Sequence, residues 1–196
     1  MSRVPYYRVE EKKISHTSVR PAPDFAYRLM VWTMKVEDLF HDPADLLKKV
    51  PLKEGMTVVD YACGPGRYAI PAAETVGPSG EVYAVDSQPL ALEIVKKKAK
   101  RKSLANIMPV LVDSFDTGIQ EASADVVLLI DAITPIRDRD SLFKEIHRLL
   151  KAHGLLFMDS SHEGIAKARN IVESTGLFDI LKLDGKTMLL TKKDGA

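Results

Sequence analysis

The chain has a single cysteine in 196 residues, Cys63. That excludes an internal disulfide framework and any zinc site built on paired Cys-x-x-Cys motifs. No apolar run approaches the roughly 20 residues of a membrane-spanning helix, and residues 1–10 lack the apolar stretch of a signal peptide. Charge of one sign is missing too. The 28 Lys+Arg balance 27 Asp+Glu to a net +1, which argues against wholesale electrostatic capture of nucleic acid. No internal repeat or low-complexity tract is present. What these absences leave is one ordinary cytoplasmic domain with 45% hydrophobic residues. A chain of this length buries roughly 70% of its unfolded surface and needs no covalent staple.

Short β-rich runs alternate with helix-length amphipathic ones from residue 57 onward. The apolar runs are 57–61, 81–85, 107–112, 125–130 and 155–158, and the helix candidates between them are 67–75, 89–102, 140–151 and 163–175. Continuous rather than alternating hydrophobicity predicts strands buried on both faces, as in a parallel sheet. Strand–helix alternation with short links implies right-handed βαβ units and a doubly wound α/β fold. In the third helix Leu142, Ile146, Leu149 and Leu150 share a face, and His153-Gly154 is expected to stop it. Asp184-Gly185 between two apolar runs predicts a closing hairpin. Ahead of this core, residues 1–24 with Pro5, Pro21 and Pro23 read as an extended or flexible arm. Residues 25–50 read as a helical cap over the active site, broken near His41-Asp42-Pro43, and residues 51–196 form the ligand-binding domain.

The densest chemistry lies in residues 58–69, Val-Val-Asp-Tyr-Ala-Cys-Gly-Pro-Gly-Arg-Tyr-Ala. A buried strand enters a glycine loop that lets backbone approach a ligand, and a helix follows. Gly64-x-Gly66-x-x-Ala69 satisfies the dinucleotide fingerprint, and Asp86 stands 20 residues beyond Gly66 at the end of the next strand. A carboxylate there accepts hydrogen bonds from ribose hydroxyls. Asp60, beside the loop, would repel a pyrophosphate and favour a cationic ligand. Asp60, Asp86, Asp113 and Asp131 each close a successive strand, so all four face the carboxyl edge of the sheet, where ligands of open α/β folds bind.

The loop Asp60-Tyr61-Ala62-Cys63-Gly64-Pro65-Gly66 resembles the first motif of class I S-adenosylmethionine-dependent methyltransferases, with Ala62 in place of the first glycine. Residues 81–87, 110–115, 124–131 and 142–158 resemble the later motifs in order. The resemblance covers about residues 53–193 and implies a Rossmann-like seven-stranded sheet of order 3-2-1-4-5-7-6 with strand 7 antiparallel. It implies S-adenosylmethionine as cofactor and S-adenosylhomocysteine as product. Asp60, Ala62, Cys63, Gly64 and Gly66 would form the cofactor loop, with Asp60 serving the methionine ammonium. Asp86 and Ser87 would hold the ribose, and Asp113, Ser114 and Phe115 the adenine. Asp131 would lie near the sulfonium, and Asp131 and His162 are the candidate general bases. Asp131 and Asp159 end strands four and five as the magnesium ligands of catechol-type relatives do. Ser160 replaces the asparagine of that set, so no metal is expected.

No Asn/Asp-Pro-Pro-Tyr follows strand four, and the sole cysteine lies in the cofactor loop, so amino-group methylation of adenine and attack on a pyrimidine ring are not expected. A small-molecule acceptor is expected, with a monomer or homodimer and no membrane partner; nucleic acid stays open as a partner but is not favoured. Six Lys/Arg in residues 96–102 read as a solvated helix end. Two other classes stay open. A small NAD(P)-linked reductase would need a Tyr-x-x-x-Lys pair, which is absent. A non-catalytic cofactor-binding module would be consistent with Ala62.

Overall fold

A computed structural model of the chain describes residues 22–40, 42–132, 136–160 and 163–193, together with the backbone of 7 and 8. The elements in chain order are β1 (Tyr7–Arg8), α1 (Asp24–Asp38), α2 (Pro43–Leu47), β2 (Thr57–Tyr61), α3 (Ala69–Val76), β3 (Glu81–Asp86) and α4 (Pro89–Arg101). They continue with β4 (Ile107–Leu111), β5 (Ala124–Leu129), α5 (Arg139–Leu149), β6 (Leu150–Asp159), α6 (Ile165–Thr175), β7 (Phe178–Asp184) and β8 (Thr187–Lys192).

One mixed sheet runs β1-β4-β3-β2-β5-β6-β8-β7. Its last seven strands are the expected 3-2-1-4-5-7-6 order, and β8 is antiparallel to both β6 and β7. β1 is an addition that the sequence reading did not contain. Tyr7 and Arg8 pair in parallel with Val110 and Leu111 at the far edge. Two residues carry no periodicity of their own, so only the neighbouring strand defines them as a strand.

Burial follows the continuous apolar runs. Val58, Val59, Val82, Ala84, Val85, Val126, Val127 and Leu128 have no exposed surface, as strands covered on both faces require. On one face α3 lays down Ala69, Ala72, Ala73 and Val76 at helical spacing, beside Leu92, Val95 and Ala99 of α4. On the other, α5 contributes Leu142, Phe143, Ile146 and Leu149, and α6 contributes Ala168 and Val172. A buried carboxylate is neutralised within this layer. Glu145 accepts from both the N–H and the hydroxyl of Thr117 and is paired with Arg148.

One boundary departs from expectation. Helix α5 ends at Leu149, and residues 150–153 are strand rather than the last helical turn. Leu150 pairs with Ala124 before the register shifts, and Gly154 lies in the irregularity. A Cβ on Gly154 would stand 2.9 Å from Leu150 Cδ2 and 3.0 Å from the Ala124 carbonyl, so the glycine serves a close strand approach instead of a helix stop. The apolar pattern hides this change, because both Leu149 and Leu150 are buried.

Candidate functional site

The parallel strands β2, β3, β4 and β5 all end at one edge, and the connections leaving them enclose a cavity of about 190 Å³. Its wall includes Ala62 after β2, Asp86 and Ser87 at β3, Asp113, Ser114 and Phe115 after β4, and Asp131 after β5. Tyr61, Val85, Val112, Ala132 and Ile136 complete it. Pockets that enclose a whole drug-sized ligand run to roughly 300–1,000 Å³, so this cavity holds one part of such a ligand, with the rest lying across the open edge. A larger depression of about 570 Å³ lies at the amino ends of β3 and β4. It has the wrong edge for a ligand site of this fold, and the Asn106 amide there is spent on the Ala73 and Gly77 carbonyls.

The glycine loop is held by backbone. Cys63 N–H donates to Val85 O at 2.9 Å, and Gly66 N–H to Cys63 O at 3.0 Å. Ala62 takes φ +60°, a left-handed conformation that is strained for a residue with a Cβ. Gly64 and Gly66 also have positive φ, of 52° and 75°. They differ in surroundings. A Cβ on Gly64 would meet only the Tyr27 hydroxyl at 3.8 Å, whereas one on Gly66 would lie 2.9 Å from Val95 Cγ2 of α4. Gly64 therefore leaves backbone open beneath α1, and Gly66 lets the loop close on the helix layer.

Asp86 organises this region. Its Oδ2 accepts from Gly64 N–H and its Oδ1 from Gln88 N–H, each at 2.8 Å. Gln88 in turn donates its side-chain amide to Ala22 O at 2.7 Å, tying the lead-in of α1 to the site. Burial raises the Asp86 carboxyl above the usual carboxylate range, and the backbone donors oppose that rise. Each carboxylate oxygen keeps a lone pair for a ligand hydroxyl.

Asp60 is fully buried in β2, outside the cavity wall, and its Oδ2 has no hydrogen-bond partner among the described residues. Burial, opposed by the Ala69 N–H and reinforced by Asp86, pushes it up to about 7. The Tyr27 hydroxyl of α1 is likewise buried without a partner, beside the same loop. Burial, then Asp60 and Asp86, pushes the Cys63 thiol up, so it stays protonated and is a poor nucleophile. An acid whose folded pKa is raised binds more protons folded than unfolded between pH 4 and 7, so its contribution to stability falls as pH rises through that window. Asp60→Asn should flatten this fall and stabilise the ligand-free protein above pH 7 by about 1–2 kcal/mol, after the cost of a buried amide. Urea titrations at pH 5 and pH 8 check it. The same variant should bind a cationic ligand more weakly at pH 8.

Asp131 carries a second constellation. It has φ +56°, and its N–H donates to Asp159 Oδ1 at 2.9 Å. Its Oδ2 is 3.5 Å from Arg67 Nη1 and 3.5 Å from the Tyr68 hydroxyl. Burial, then the Asp159 charge, raises its proton affinity against the pull of Arg67. Arg67 also pairs with Glu37 at 3.3 Å and Asp38 at 2.5 Å, so one guanidinium joins the end of α1 to the carboxyl edge of the sheet. Tyr61, Arg67, Tyr68 and Ile136 were missed by sequence reasoning. Tyr61, Arg67 and Tyr68 lie inside the loop motif, where an aromatic or cationic side chain was the available signal. His162 lies outside the described residues. No group of three His, Cys, Asp or Glu among the described residues is placed to hold a metal.

Sequence and fold comparisons agree with this fold. Two curated relatives are demethylmenaquinone methyltransferases. That of Geobacillus kaustophilus is 29% identical over 57% of this chain and 47% of its own. That of Lactococcus lactis is 28% identical over 79% of this chain and 61% of its own. The chain thus spans about half the length of the curated relatives it matches. In fold it resembles an S-adenosylmethionine-dependent methyltransferase of Aquifex aeolicus, at TM-score 0.69 and 20% identity over 78% of this chain and 90% of that one. A putative one from Methanococcus maripaludis matches at TM-score 0.74 and 17% identity, over 96% of this chain and 99% of that one. The family profile described as a methyltransferase domain matches residues 52–187, the span that builds β2 through β7 and the whole cavity wall. The chain belongs to the methyltransferase-domain family.

Proposed function

We propose that the chain catalyses methyl transfer from S-adenosylmethionine to a small-molecule acceptor at the carboxyl edge of the sheet. The observation that carries this reading is the convergence of Ala62, Asp86, Ser87, Asp113, Ser114, Phe115 and Asp131, from four successive strand ends, on one cavity. The two orphaned buried oxygens support it, since Asp60 Oδ2 suits an ammonium and the Tyr27 hydroxyl suits a carboxylate.

S-adenosylmethionine supplies, when bound, a methyl group already activated on a positively charged sulfur. The protein's work is therefore to bind, align and exclude water. Asp86 would accept from ribose hydroxyls on the lone pairs that Gly64 and Gln88 leave free. Asp113 and the backbone of Ser114 and Phe115 would hold the adenine edge, and Val85, Val112 and Ile136 would give the ring apolar walls. Asp60, buried behind the glycine loop, would serve the methionine ammonium through its charge in the ionised form, so cofactor affinity should rise as pH passes through about 7.

In this proposal Asp131 takes the acceptor's proton. It lines the cavity, is 45% exposed, and its proton affinity is raised by burial and by Asp159. Asp131→Asn should lower turnover by roughly 10²–10⁴, the usual contribution of a general base, and leave S-adenosylhomocysteine binding nearly unchanged. It should also remove the limb on which wild-type turnover rises with pH. A pH–rate profile of both proteins checks this. The names of the curated relatives make demethylmenaquinone the first acceptor to test. Incubation with methyl-labelled donor, first with that compound and then with a small-molecule cell extract, should label a product. Tight cofactor binding with no transfer to any acceptor would instead favour a non-catalytic binding module.

A further inference from the structure

Helix α1 is amphipathic on its inner side and apolar again on its outer side. Tyr27 and Val31 are buried against Leu90 and Ala91 of α4. On the opposite face Phe25, Leu29, Trp32 and Val36 recur at intervals of three or four, and Leu39 and Phe40 in the turn that follows the helix extend the line; the six stand 77%, 62%, 62%, 38%, 80% and 78% exposed. Apolar side chains scattered singly over a surface need no explanation, but a contiguous stripe of six marks an interaction surface.

The charges around the stripe say what it fits. Arg28 and Lys35 lie along one flank of α1, both exposed. Next to that flank runs the cationic end of α4, where exposed Lys97 and Arg101 extend the line of Leu90 and Ile94. The two ends are close. Burial depresses the Lys98 ammonium, Asp38 opposes that, and the charges of Lys35 and Arg101 depress it further. The acidic residues at the end of α1, Glu37 and Asp38, are paired with Arg67. A row of Trp, Phe and Leu flanked by Arg28, Lys35, Lys97 and Arg101, against the exposed acid Asp24 on that flank, is a surface that suits the interface of an anionic bilayer. A second copy of this chain fits less well. Antiparallel two-fold pairing of α1 sets the flank of Arg28 and Lys35 against its own counterpart, cation on cation. None of the described helices is long and apolar enough to span a membrane, so the contact is a surface one.

We propose that the outer face of α1, with the cationic end of α4 beside it, docks on the surface of a membrane rich in anionic lipid. The six apolar side chains seat at the acyl boundary, and Arg28, Lys35, Lys97 and Arg101 lie among the headgroup phosphates. Because α1 borders the glycine loop through Tyr27 and Asp38, docking holds that loop one helix away from the bilayer surface. The inference stands on the helix surface and is independent of which acceptor is methylated.

Trp32 is the sole tryptophan, so its emission reports on this face alone. The intact protein is mixed with vesicles of phosphatidylcholine and phosphatidylglycerol in equal parts, and separately with phosphatidylcholine vesicles. Co-sedimentation with the anionic vesicles and a blue shift of Trp32 are expected, with binding roughly tenfold or more weaker on the neutral vesicles or in high salt. The pair Leu29→Glu with Phe40→Glu should abolish sedimentation and leave the melting temperature unchanged. The pair Lys97→Glu with Arg101→Glu should remove the preference for anionic lipid. Absence of both sedimentation and blue shift would overturn the proposal. A vesicle-independent blue shift that grows with protein concentration, together with a dimer in analytical ultracentrifugation, would overturn it in favour of a second copy.

Discussion

Asp86→Ala is expected to weaken S-adenosylhomocysteine binding by roughly 10- to 150-fold, equivalent to about 1.5–3 kcal/mol for hydrogen bonds to a charged group. Two effects act together. The variant removes the acceptor for the ribose hydroxyls, and it releases the Gly64 and Gln88 N–H groups that the carboxylate holds at 2.8 Å. The glycine loop then loses the tie that fixes Gly64 under α1. Gln88→Ala separates the two contributions. It keeps the carboxylate and its backbone bonds but cuts the link from Gln88 to Ala22, so binding should fall far less. Titration calorimetry on wild type and both variants reads the difference, and equal affinity for wild type and Asp86→Ala would remove the ribose role of this residue.

Gly66→Ala is expected to destabilise the fold by about 2–4 kcal/mol. Part of that cost is conformational, because φ +75° is left-handed and disfavours any Cβ. The larger part is steric. The new methyl would stand 2.9 Å from Val95 Cγ2 and 3.4 Å from Ile70 Cγ1, and Val95 is fully buried between α4 and the sheet. Val95→Ala should therefore rescue part of the loss in the double variant, since it vacates the space that the methyl needs. Gly64→Ala offers the contrast. It has positive φ but nothing closer than 3.8 Å, so it should cost only the conformational part. Urea denaturation of the four variants measures all of this. Equal destabilisation by Gly64→Ala and Gly66→Ala would show that close packing against α4 is not the reason for the glycine.

Much of this architecture is legible in the residues. Strands buried on both faces have to be continuously apolar, so β2, β3, β4 and β5 announce themselves, and each ends near an aspartate. Of the residues named from the motifs, Ala62, Asp86, Ser87, Asp113, Ser114, Phe115 and Asp131 line the cavity, while Asp60, Cys63, Gly64 and Gly66 lie outside its wall. Other features have no local signature. β1 is too short to show a period, and β6 begins where a helical apolar pattern is still running. The contacts of Arg67 with Asp38 and of Asp131 with Asp159 join residues 29 and 28 positions apart, which spacing cannot reveal. In α1 two apolar stripes share one helix, and only packing against Leu90 and Ala91 decides which faces inward.

The central claim is that the carboxyl edge of this sheet is a site for S-adenosylmethionine. Its most direct test is a calorimetric titration of the wild-type protein with S-adenosylhomocysteine at pH 8, where Asp60 is ionised. One-to-one saturable binding that weakens at pH 6 is the predicted result. No measurable heat at two well-separated temperatures, with NADH or NADPH binding in its place, would contradict it.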